Sequence, residues 1–199
     1  MPAIAARRRL GLTGRGALTL QGIESVARIE YADRDSDAVR PLAQQIIEER
    51  GSILHLYQML LHSPPVAAGW LGYLTAIRQQ TSLPGALREL IIMRVALLND
   101  APYEADQHAP IALAEGVAQA KLDALPAWHD SELFDAAERA VLAYTDAMTR
   151  QVQVPDAVFA AVAAQYPPRQ LVEITATIAA YNMVSRFLEA LQIHSHDTR

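Results

Sequence analysis

Prolines in this chain stand where helical patterns begin. Pro41, Pro64, Pro84, Pro102, Pro155 and the pair Pro167–Pro168 each open a stretch whose apolar residues recur at helical spacing. Proline is tolerated in the first turn of a helix and disruptive in its interior, so this punctuation marks starts. Helices are expected over 41–49, 53–62, 64 to about 80, 84–98, 102–116, 117–125, 136–150, 155–165 and 169–191. Ser63 should cap the third of these, Gly51 and Gly116 should end two others, and Asp135 with Glu138 has the spacing of a capping box. No segment alternates apolar and polar residues over a useful length. The expected fold is all-α, with about seven to nine helices.

The chain has 199 residues and 51% of them are hydrophobic, enough for one domain with a proper core. No run of 18 uncharged apolar positions occurs, so no membrane span is expected. The net charge of −5 offers no basis for nucleic-acid binding. The chain contains no cysteine, which removes disulfides, thiolate nucleophiles and zinc–thiolate sites. Residues 1–20 contain Arg7, Arg8, Arg9 and Arg15 and no acid. We read residues 1–27 as a basic, flexible extension, residues 28–199 as the helical domain, and the protein as cytoplasmic.

The segment Ala101-Pro102-Tyr103-Glu104-Ala105-Asp106-Gln107-His108 carries the chemistry. Residues four apart share a helical face, so Glu104 and His108 can act on one small volume. Imidazole and carboxylate together form a minimal acid–base unit. Glu89 lies on the preceding helix, which can fold back and aim it at His108. Arg94 sits in an otherwise apolar helix and needs a partner, either a substrate carboxylate or a structural acid. Tyr103 can line a pocket. Tyr181 and Asn182 can face the site from the last helix or serve core hydrogen bonding. Pro110 should bend the motif helix. His62 is expected to cap a helix end. His194 and His196 make too weak a pair for a metal site, and Glu104 with His108 lacks a nameable third ligand, so no metal is assigned.

The run Leu83-Pro84-Gly85-Ala86-Leu87-Arg88-Glu89-Leu90-Ile91-Ile92-Met93-Arg94-Val95-Ala96 is followed by Tyr103-Glu104, Gln107-His108, and Ala112, Glu115 and Gly116. It resembles the core of the carboxymuconolactone decarboxylase and alkylhydroperoxidase-D-like (AhpD-like) superfamily. Two flanking stretches, 61–67 and 179–184, extend the resemblance over about 28–193. It implies an all-helical fold assembled as a homo-oligomer, trimer or hexamer. In the peroxidase branch a Cys-x-x-Cys pair precedes the histidine; the matching positions here are Ala101 and Glu104, so thiol-based peroxide reduction is excluded. The relay positions of that branch correspond to Glu89 and His108, while its second histidine falls at Tyr103. The decarboxylase branch resembles this chain in its Glu-x-x-x-His spacing.

The expected function is that of a cofactor-independent, decarboxylase-like enzyme acting on a small organic acid or lactone. His108, Glu104 and Glu89 would be catalytic, and Arg94, Tyr103 and Asn182 would bind substrate. The alternative is a non-catalytic oligomer that binds a metabolite or partner on the same fold. Catalysis requires Glu104 and His108 to converge on a cavity, whereas the alternative tolerates a sealed or divergent pair.

Overall fold

The computed structural model describes residues 27–197. The expected N-terminal extension therefore lies outside the described residues, apart from Ala27. Among the described residues there are nine α-helices and no strand: α1 (Arg40–Arg50), α2 (His55–Leu60), α3 (Pro64–Thr75), α4 (Gly85–Leu98), α5 (Pro102–Ala114), α6 (Gln119–Ala124), α7 (Ala136–Arg150), α8 (Asp156–Ala163) and α9 (Pro168–Leu191). None of them is long and apolar enough to cross a membrane.

The prolines occupy the places that the sequence suggested. Pro41, Pro64, Pro102 and Pro168 fall in the first two positions of their helices. Gly51 ends α1 with φ +79°, and Gly116 follows α5 with φ +95°. Both are left-handed positions that glycine adopts without a Cβ penalty. The capping box of α7 forms as expected: the Glu138 amide donates to Asp135 Oδ1 at 2.8 Å, and the Asp135 amide donates to Glu138 Oε2 at 2.9 Å. The α3 start differs from expectation. The Ser63 side chain makes no capping bond, and its carbonyl receives the Ala67 amide instead. The final turn of this helix also differs. Residues Ala76–Gln80 continue α3 as a π-helical turn, which widens the spiral and shifts the side chains that follow.

α4 is the axial element. Every residue from Leu87 to Ala96 is buried, and the helix packs against α5, α7 and α9. One side faces the main core, with Ile91, Ile92 and Val95 among Leu71, Ile174, Ile178 and Leu188. The other side meets a smaller cluster of Leu125, Trp128, Phe134 and Leu142 through Leu90 and Met93. Complete burial forces each polar group on α4 to find a partner. Asp100, at φ +51°, turns the chain from α4 into α5; aspartate tolerates this conformation better than most residues. The short connection lets the two helices pack closely and brings Glu89 against the motif helix.

Candidate active site

His108 lies between two carboxylates. From α4, Glu89 places Oε2 2.6 Å from His108 Nδ1. From its own helix, Glu104 places Oε2 3.6 Å from Nε2. Glu89 is 0% exposed, Glu104 3% and His108 5%, so all three interact in a medium that magnifies charge. Burial alone would push the Glu89 carboxyl up. The hydrogen bond and charge of His108, together with Arg88, outweigh it and hold Glu89 below its ordinary value of 4.5. An ionised Glu89 accepts a proton-bearing Nδ1, which fixes the ring and leaves Nε2 as the nitrogen facing Glu104.

Arg88 braces this arrangement. Its Nε donates to Glu89 Oε1 and its Nη2 to Glu115 Oε1, both at 3.1 Å. The ring of Tyr181 meets the His108 imidazole edge-on, with centroids 5.1 Å apart. Glu104 has the opposite electrostatics from Glu89. Desolvation dominates and raises its carboxyl above 4.5, with the nearby Glu89 charge adding to the rise, although His108 and Arg78 oppose it. The phenol of Tyr181 is likewise pushed well above 10 by burial and stays neutral. Glu104 Oε2, the Tyr181 hydroxyl and Trp70 Nε1 are buried with no hydrogen-bond partner among the described residues. Unpaired buried polar atoms are costly, and a ligand offering hydrogen bonds to these three would relieve that cost.

These three residues line one cavity of about 260 Å³, and Tyr103, Glu104, His108 and Tyr181 contribute to its wall. The wall is closed by Leu54, Leu56 and Tyr57 around α2, by Trp70, Leu74 and Arg78 from α3 and its π turn, and by Val184 from α9. The Leu56 amide donates to the Tyr103 hydroxyl at 3.5 Å. The motif helix continues through Pro110.

Two residues expected to bind substrate have other positions. Arg94 donates Nε and Nη2 to the two carboxylate oxygens of Asp146, at 2.6 and 2.7 Å, and Nη1 to the Leu125 carbonyl at 3.0 Å. That fork leaves its guanidinium satisfied, and Arg94 is not among the cavity residues. Asn182 is also away from the wall. Its amide donates to Thr149 Oγ1 at 2.9 Å and to the Ile178 carbonyl at 3.0 Å, and its Oδ1 receives Asn99 and Arg186. Its neighbour Tyr181 faces the cavity, since adjacent helical residues point about 100° apart. His62 does not cap a helix; its Nε2 meets the Glu30 carbonyl at 2.8 Å. Arg78 and Trp70 had no place in the sequence-based site. Their one signal is the spacing Trp70, Leu74, Arg78 along a single helical stripe. Among the described residues no group of three or more His, Cys, Asp or Glu side chains is arranged to hold a metal ion.

Residues 64–147 match the model of the carboxymuconolactone decarboxylase family. The uncharacterized protein YdfG of Bacillus subtilis is 27% identical over 115 residues, covering 57% of this chain and 78% of YdfG. An uncharacterized peroxidase-related protein from Silicibacter sp. superposes with a TM-score of 0.71 at 16% identity, covering 92% of this chain and 100% of that one. The debrominase Bmp8, in a variant bound to 2,3,4-tribromopyrrole, gives a TM-score of 0.70 at 22% identity, covering 84% and 89%. An uncharacterized peroxidase-related protein from Ralstonia eutropha with the alkylhydroperoxidase AhpD core gives 0.71 at 15%, covering 87% and 98%. Family match and fold agree over this region: residues 64–147 match the carboxymuconolactone decarboxylase family model, the chain has the AhpD-like fold, and it contains no cysteine.

Proposed function

We propose that this protein is a proton-transfer enzyme of the decarboxylase type that acts on a small organic acid or lactone. The observation that carries the reading is an imidazole held between two carboxylates of opposite electrostatic character, on the wall of a cavity. Its own side chains suffice for the chemistry. Loss of carbon dioxide from a substrate carboxylate breaks the C–C bond and leaves the electron pair on carbon as a carbanion or dienolate. A proton on Nε2 of His108 moves to that carbon. Glu89, kept ionised, stabilises the imidazolium before transfer and holds the ring throughout. Glu104, whose carboxyl holds its proton more tightly than usual, returns one to Nε2, and solvent replenishes Glu104. A non-catalytic binding protein has no need of this pairing.

Carbon dioxide release from carboxymuconolactone is the direct test. The wild type should release it, and His108→Gln at matched folding should lose at least 100-fold in kcat, the scale of a positioned acid. Absence of release from both would remove this substrate and the decarboxylase reading with it. We further propose that the chain forms a homo-oligomer through the apolar face of α8 and α9, whose test is given in the Discussion.

A further inference from the structure

The arginines inside this domain are nearly all committed. Arg50 donates to Thr75 Oγ1 at 2.6 Å, Arg88 to Glu89 and Glu115, and Arg94 to Asp146. Arg78 differs. It lies on the π turn Ala76–Gln80, is half-buried, lines the cavity, and its side chain makes no hydrogen bond or ion pair to a described residue. Its charge acts on both Glu104 and Tyr181, so it belongs to the same electrostatic unit as the acid–base pair. π turns are uncommon and recur at functional sites. Here the turn extends the stripe of Trp70 and Leu74 by one cationic position.

A guanidinium facing a cavity with its donors unused is matched to a carboxylate, which it can hold through two parallel bonds. The rest of the wall sets polar groups of Glu49, Arg50, Glu104, Gln107 and His108 beside Tyr57, Trp70, Tyr103 and Tyr181, which offer flat apolar faces. A cavity of 260 Å³ has room for on the order of nine waters, at about 30 Å³ each, or one ring-sized molecule. We propose that Arg78 is the anion anchor of this cavity and that its ligands are carboxylates on a small unsaturated or ring-shaped body. The proposal rests on the reading of the cavity as a substrate site and deepens it. An ion pair with Arg78 stabilises the ionised carboxylate in the ground state, which opposes its loss as carbon dioxide. The carboxylate on Arg78 is therefore the one that remains in the product.

The test is equilibrium binding of benzoate and benzamide, followed by ligand-observed NMR titration at pH 7.5. The two probes match in shape and differ in charge. Wild type should bind benzoate at least tenfold more tightly than benzamide. Arg78→Gln should erase that preference with unchanged circular dichroism, and Arg78→Lys should keep part of it, since lysine preserves the charge but not the fork. Equal binding of the two probes by wild type, binding of neither, or a preference that survives in Arg78→Gln would overturn the proposal. The wild-type comparison needs no variant to fold. If the carboxymuconolactone assay shows no turnover while the benzoate preference is present and depends on Arg78, the anchor stands and the proton-transfer reading falls.

Discussion

Glu89 and Glu104 are both buried beside one imidazole, yet pH should act on them in opposite directions. Glu89 is held below 4.5 in the folded protein. Its contribution to stability is present above the unfolded value and is lost as pH falls through the folded one. Replacing it with glutamine should therefore cost about 1.5–3 kcal/mol at pH 7, the scale of a hydrogen bond to a buried charge. The deficit should narrow as pH falls below 4.5. Glu104 is raised above 4.5, so its ionised form is a burden in the fold that is absent below the unfolded value and grows as pH rises through the folded one. Glu104→Gln should accordingly gain on the order of 1 kcal/mol at pH 8 and nothing at pH 4, while losing turnover. Urea denaturation of the three proteins at pH 4, 7 and 8 reads both effects. Parallel pH profiles for the two variants would contradict the assignment.

At the scale of elements, α4 and α7 are joined by a buried ion pair whose worth is conditional. Arg94 and Asp146 have side-chain exposures of 4% and 10%. Removing one member leaves the other charged and dry, which costs about 3–5 kcal/mol. Asp146→Ala should fall in that range by chemical denaturation. The apolar double variant Arg94→Met with Asp146→Leu should recover most of the loss, because a well-packed apolar pair of similar volume replaces the ions. No recovery would mean that the four carbonyl and carboxylate contacts of Arg94 matter individually. The same residue shows what was legible in the sequence. That Arg94 needed a partner followed from its apolar surroundings; which partner did not, since Asp146 lies 52 residues away and no spacing rule links them. Helix starts and the Asp135–Glu138 capping box were readable because they are settled within four residues. Glu104 and His108 share a face for the same local reason. The closeness of Glu89 to His108 was anticipated through a resemblance and from a fold-back of two adjacent helices. Arg78 was hidden because its spacing with Trp70 and Leu74 does not say what that stripe faces, which is decided by packing between helices far apart in the chain.

The whole molecule presents an apolar groove on the side formed by α8 and α9, lined by Phe159, Pro168, Leu171, Val172, Thr175, Ala176 and Ala179. Val172 is 69% exposed and Phe159 48%, and no charged residue belongs to the groove. Contiguous apolar surface of this kind is a place of association rather than of solvation. The small residues Ala176 and Ala179 leave room for a close approach along α9. A second copy of the same face satisfies it without any new chemistry, because an isologous contact sets each α9 against its counterpart. The cavity proposed as the substrate site includes Tyr181 and Val184 from this same helix, so assembly would stiffen its wall as well as cover the groove. Sedimentation velocity should show wild type above the monomer mass. Val172→Glu places a carboxylate that must be desolvated twice in a symmetric contact, and should shift the protein to monomer with its helical circular dichroism intact. A wild type that sediments as a monomer at every concentration would end this reading, and an oligomer unaffected by Val172→Glu would place the contact on another face.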